Sequence, residues 1–113
     1  MGIENEAGYE TPDFSIRWVG ILKPFTMQSD HHQHDYDQYL CFVGGNPANI
    51  LDLGGEVELT LSEDGVNLEK HVFTTAATVF IPAGLYHCPL VYTRVDRPLF
   101  FINVMFTKTY RKV

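Results

Sequence analysis

The chain has 113 residues, 45% of them apolar, and a net charge of −6 at pH 7. That length makes one domain with one ordinary core, and an acidic chain without a basic stripe excludes nucleic acid as a partner. No run approaches the roughly 20 apolar residues of a membrane span, the first ten residues carry no secretory signal, and the two cysteines, Cys41 and Cys88, read as reduced thiols, so the expected compartment is the cytoplasm.

Short strands separated by turn chemistry fill the chain in order. FSIRWVGIL (14–22) is β-branched and aromatic and ends before Pro24; it carries Trp18, the only tryptophan. After the polar stretch DHHQHDYDQYL (30–40), QYLCFV (38–43) runs to the turn cluster Gly44-Gly45-Asn46-Pro47. EVELTL (56–61) alternates polar and apolar positions, SEDG (62–65) reads as a hairpin turn, and VNLEKHVF (66–73) returns. TVFI (78–81) meets Pro82 and Gly84; CPLVYT (88–93) and LFFINVMF (99–106) complete the set around RVDRP. No apolar stripe of helical period interrupts them. Some eight short strands at even spacing predict an all-β antiparallel sandwich or barrel spanning residues 1–113 as a single domain.

The histidines carry the chemistry. His32 and His34 stand two apart, so on an extended strand they share a face about 7 Å apart and can converge on one metal ion. Gln38 would sit about 13 Å from His34 if that strand simply continued. The chain must therefore reverse between them, and Asp35-Tyr36-Asp37 suits a three-residue hairpin loop. Asp37 is the alternative to Gln38 should the hairpin shift by one residue. His87 follows Pro82-Ala83-Gly84-Leu85-Tyr86, where Gly84 can take the positive φ of a tight turn. His31 points away from His32 and is expected at the surface, as is His71. Cys88, next to His87, is expected to face the other way as a packed thiol.

At this point the sequence resembles a known family. His32-x-His34, followed by Gln38 and later by Gly44, resembles the first cupin motif, and Pro82-x-Gly84-x-x-His87 resembles the second. The resemblance covers roughly residues 25–106 and implies a double-stranded β-helix, the jelly-roll cupin barrel. It also implies a divalent transition metal, Fe, Ni, Zn or Cu, held by His32, His34 and His87, with Gln38 in the place usually filled by glutamate. The chain departs from the family pattern in three ways. No glycine precedes the first histidine pair, Val91 stands where asparagine is usual, and Gln38 is neutral. Three imidazoles and an amide leave an M²⁺ site at +2, a stronger Lewis acid that favours anionic ligands.

Phe42, Phe80, Tyr86, Tyr92, Phe101 and Met105 are candidates for the apolar walls of a substrate pocket, and Asn103, alone in FINVMF, is a candidate polar group within it. These features imply a metal-dependent small-molecule enzyme, with dioxygenase-like Fe(II) chemistry ahead of hydrolysis or isomerisation. The competing reading is a non-catalytic domain that binds a small organic acid or sugar, the metal being structural or anchoring the ligand. The segment 9–24 is too apolar to remain an open edge. By the same resemblance it is expected to pair with a sheet in a homodimer, its own or its partner's.

Overall fold

A computed structural model describes residues 9–10, 14–107 and 112–113. Among these, nine strands and no helix occur: β1 (Tyr9–Glu10), β2 (Ser15–Ile21), β3 (Phe25–Gln28), β4 (Gln38–Gly44), β5 (Asp52–Ser62), β6 (Glu69–Thr75), β7 (Ala77–Ile81), β8 (Tyr86–Val95) and β9 (Leu99–Met105). Among the described residues no helix is long and apolar enough to cross a membrane. The strands form two antiparallel sheets, β1-β2-β9-β4-β7 and β3-β8-β5-β6, packed face to face as a jelly roll. The all-β, jelly-roll expectation holds.

Period-2 patterning assigns the faces. On β5, Val57 and Leu59 are buried while the alternating Glu56 and Glu58 are not, and β4 buries Gln38, Leu40 and Phe42. Val57, Leu59, Leu40 and Phe42 make one continuous core between the sheets with Leu53, Leu90, Tyr92, Leu99 and Phe101. Phe42 lies at its centre, its ring 5.1 Å from Phe73 and 5.2 Å from Phe101.

Several strands run longer than the sequence reading, β5 from Asp52 and β8 over Tyr86–Val95, and two differences have a clear local origin. The strand returning from the 62–65 turn begins at Glu69 rather than at residue 66, because Asp64 accepts the backbone N–H groups of Val66 and Asn67, both at 2.8 Å, and holds them in the loop. Phe25–Gln28, left unassigned between Pro24 and the histidines, is a strand paired with β8. The apolar segment around Trp18 pairs residue for residue with β9 of its own chain, from Ser15↔Met105 to Ile21↔Leu99. Residues 11–13 of the 9–24 segment lie outside the described residues.

Candidate metal centre

From His31 to Phe42 burial alternates: His32, His34, Tyr36, Gln38, Leu40 and Phe42 are buried, and the residues between them are not. The segment is not the hairpin loop expected from Asp35-Tyr36-Asp37. It crosses between the sheets in a largely extended form. His32 exchanges backbone hydrogen bonds of 3.1 and 2.9 Å with His87 of β8, while Gln38 opens β4 in the other sheet. Tyr36 fills the corner, its ring stacked on His34 at 4.7 Å and its hydroxyl donating to Met105 Sδ at 3.6 Å. Asp37 faces outward, where its carboxylate accepts the Ala83 N–H at 2.8 Å and its carbonyl accepts the Phe106 N–H at 3.0 Å. The unbroken alternation therefore sets Gln38, not Asp37, toward the histidines.

The second segment arrives through a tight turn. The Leu85 N–H donates to the Pro82 carbonyl at 3.1 Å, and Gly84 takes φ +87° at the position where such a turn requires it. The Gly84 N–H donates to the His34 carbonyl at 2.9 Å, which ties the two histidine segments together. Beyond His87 the pairing with β5 shifts register, Leu61↔His87 being followed by Leu59↔Leu90. One extra residue in β8 makes a bulge, and Cys88 within it has φ +83°. Both His87 and Cys88 consequently point inward. The expectation that Cys88 faces away from His87 fails because the bulge suspends alternation there. Burial pushes the Cys88 thiol up to about 12, so it stays protonated.

His32, His34 and His87 place a ring nitrogen each within 4.8 Å of one another, and all three are buried. His87 Nδ1 donates to the Leu85 carbonyl at 3.0 Å and His32 Nδ1 to the Asp30 carbonyl at 3.1 Å. A carbonyl can only accept, so both Nε2 atoms carry lone pairs. The Gln38 amide reaches His87 Nε2 at 3.0 Å through its own nitrogen, which must then donate. Burial lowers the His32 pKa. It also lowers that of His87, to about 4, with the neighbouring His32 and His34 adding to the effect. The His32 and His87 imidazoles are thus held in the neutral form, the one that binds metal. Two nitrogens about 2.1 Å from one ion stand at most about 4.2 Å apart, so the widest separation needs only a small rotation to close. The residues fit a divalent transition ion.

A cavity of about 70 Å³ opens beside the cluster, lined by the three histidines and Gln38 together with Met27, Gln28, Leu40, Cys88, Leu90, Phe101 and Asn103. Of the residues expected as pocket walls, Phe101 and Asn103 are there. Phe42 and Tyr92 lie deeper in the core, and Met105 is buried beneath Tyr36. Phe80 faces outward because it pairs with Tyr39, which alternates with the inward Gln38. Tyr86 is not part of the cavity wall; its hydroxyl accepts from Gln33 Nε2 at 3.3 Å. Leu40 and Leu90 were not singled out in the sequence, where strand parity was their only signal, and Met27 lies in a strand the sequence reading left unassigned. Asn103 Oδ1 is buried without a hydrogen-bond partner among the described residues. His31 and His71 are exposed, the latter 4.0 Å from Glu69.

No protein-family model matches the sequence, and no curated protein matches it. Solved structures do match the fold. Oxalate oxidase in complex with glycolate is similar over 89% of this chain and 45% of its own length, at TM-score 0.61 and 17% identity. The iron(II) form of HppE in complex with substrate is similar over 84% and 47%, at TM-score 0.53 and 19% identity. CapF, a capsular polysaccharide assembling protein from Staphylococcus aureus, is similar over 93% and 26%, at TM-score 0.57 and 12% identity. The fold is the cupin barrel. The chain spans about half the length of the first two of these proteins and a quarter of the third.

Proposed function

We propose that this chain holds one divalent transition metal at His32, His34 and His87 and acts through it on a small organic acid, with non-haem iron oxygen chemistry as the leading reaction class. The observation that carries the reading is the convergence of three buried imidazoles on one wall of a small cavity. A bound iron(II) supplies Lewis acidity and one-electron oxygen chemistry at the positions the histidines leave open.

The chain's own residues set the conditions. The Leu85 and Asp30 carbonyls fix two ring tautomers with Nε2 toward the cluster. Neutral donors leave the full positive charge of an ion uncompensated, which favours a carboxylate ligand. Gln38, buried at hydrogen-bond distance from His87, can present either end of its amide. Met27, Leu40, Leu90 and Phe101 keep the wall opposite apolar and exclude water. The cavity has room for about five water-sized groups, the size of a two- or three-carbon acid, and the similar oxalate oxidase structure holds glycolate. A second reading has one observation in its favour. Among the described residues the cavity wall offers no carboxylate, and its thiol is held protonated. That suits a domain that captures an acid without turning it over.

Elemental analysis after expression in metal-replete medium is expected to find close to one Fe, Ni, Zn or Cu per chain. His32→Ala and His87→Ala should abolish uptake, His71→Ala should leave it intact, and Gln38→Glu should tighten it by placing a charged oxygen where the amide stands. Apoprotein that takes up none of the four metals on dialysis overturns the reading. Oxygen consumption by the iron(II) form with glycolate and other short acids separates the enzyme from the binding domain.

A further inference from the structure

The inner face of β2 differs from that of the other strands beside the cavity. Residues directly opposite one another on paired strands carry their side chains on the same face of a sheet. The pairs Arg17↔Asn103 and Leu40↔Asn103 therefore set Arg17, Asn103 and Leu40 in one row across β2, β9 and β4, and the last two of these line the cavity. Along β2 the same face carries Ser15, Arg17, Val19 and Ile21. Ser15 and Ile21 are buried, whereas Arg17 and Val19 are exposed, so the facing sheet does not cover the middle of this strand. Of the inward positions on β2, β9, β4 and β7, only Arg17 carries a charge.

The register also fixes what this row can reach. Neighbouring strands lie about 5 Å apart, and the arginine side chain is longer than that spacing, so its guanidinium can come to the Asn103 amide. Asn103 Oδ1 is buried with no hydrogen-bond partner among the described residues. A guanidinium carries its donors in a rigid fork. It can give one to Oδ1 and others to an anion, while the amide presents Nδ2 to the same anion. Asn103 stands two residues along β9 from Met105, the partner of Gln38, a step of about 7 Å. Gln38 bonds His87 and so marks the histidine end of the cavity. A ligand held at the histidines and extended along β9 thus points its far end at Asn103 and Arg17.

We propose that Arg17 and Asn103 form a second anchor, which receives an anionic group at the end of the ligand remote from the histidines and makes a short dicarboxylate the preferred acid. The inference rests on the reading of the cavity as an acid-binding site and adds to it the ligand's second charge. The cavity wall holds no lysine or arginine, and the chain carries −6 overall, so the far end of a dianion has Arg17 as its compensating charge. Charge-assisted bidentate hydrogen bonds are roughly twice as strong as neutral ones. A carboxylate at this end therefore gains more than an uncharged amide of the same shape.

Malonate and its monoamide, malonamate, make the test, because they match in size and differ in one negative charge. Calorimetry of the metal-loaded protein is expected to show malonate bound more tightly. Arg17→Gln should weaken malonate at least about tenfold and leave malonamate nearly unchanged. Its metal content and urea midpoint should match those of wild type, since Arg17 is an exposed side chain. Arg17→Lys should regain part of the malonate affinity, because it restores the charge without the fork. If Arg17→Gln leaves malonate unchanged, or weakens both compounds equally, the second anchor is overturned while the acid-binding site stands. If neither compound binds the loaded wild-type protein, the acid-binding reading falls and the anchor falls with it.

Discussion

The interior of this barrel has two halves of opposite character, and the same three strands run through both. Along β4 the inward residues pass from Gln38 to Leu40 to Phe42, along β9 from Asn103 to Phe101 to Leu99, and along β8 from His87 to Leu90 to Tyr92. One end is a dry cluster of aromatic and aliphatic side chains. The other sets three imidazoles, three amides and a thiol around a cavity. The apolar half gains free energy from every contact it makes. The polar half spends some of it, because neutralised histidines and an unpartnered amide oxygen are less stable there than in water. A small domain can hold such a site because the stabilising half is continuous with it on rigid strands.

Truncation at the centre of the dry half should have the largest effect. Phe42 is fully buried between Phe73 and Phe101, and Phe42→Ala is expected to cost about 3–5 kcal/mol of folding stability. Urea unfolding monitored by circular dichroism measures it. If the loss is under 1 kcal/mol, the dry half does not hold the barrel together and the contrast between the halves is false.

Acid should act on the polar half. His87 falls from an ordinary 6.5 to about 4, chiefly through burial, so between those values the unfolded chain takes up a proton that the folded chain refuses. Apoprotein stability is therefore complete above about pH 6.5, decreases as pH falls toward 4, and is insensitive to this group below that. The loss is about 3 kcal/mol at most. Urea midpoints of metal-free protein from pH 7.5 to 4 should show the decline, and His87→Phe should flatten it. A wild-type midpoint that is constant across the window would mean that His87 is not held neutral by its surroundings.

How much of these two halves is legible in the sequence depends on parity. The all-β class follows from short apolar runs between turn residues. His32, His34 and Gln38 read as one face because alternation continues from residue 31 to 42, even across the corner where a hairpin was expected. Only the pairing of β3 with β8 and of β4 with β9 reveals that the corner joins two sheets. No spacing argument brings His87 to the other histidines; the motif resemblance suggested it. Cys88 escaped because a bulge suspends parity at that residue. Phe80 looked like a pocket wall because an aromatic residue in a strand carries no label for its face. Its partner Tyr39, out of phase with Gln38, turns it outward. Parity is local and therefore legible, whereas strand partners and bulges depend on long-range pairing.

The smallest effect tests where the two halves meet. Asn103 stands on β9 between Phe101 and Met105 and pairs with Leu40 of β4 on one side and Arg17 of β2 on the other, so three of its four neighbours along and across the sheet are apolar. Its Oδ1 is buried with no partner among the described residues, and an unsatisfied buried acceptor costs about 1–3 kcal/mol. Leucine has nearly the same shape as asparagine and would extend the dry surface of Leu40 and Phe101. Asn103→Leu should therefore raise the apoprotein's stability by about 1 kcal/mol while leaving metal content unchanged. The same variant should bind glycolate at the loaded site several-fold more weakly, as followed by calorimetry, because the amide is a group a ligand in the cavity can use. Stability gained and affinity lost together would mark Asn103 as belonging to the site. A variant that is less stable than wild type would show instead that Oδ1 is satisfied by water within the barrel, which would move the boundary between the halves one residue toward Gln38.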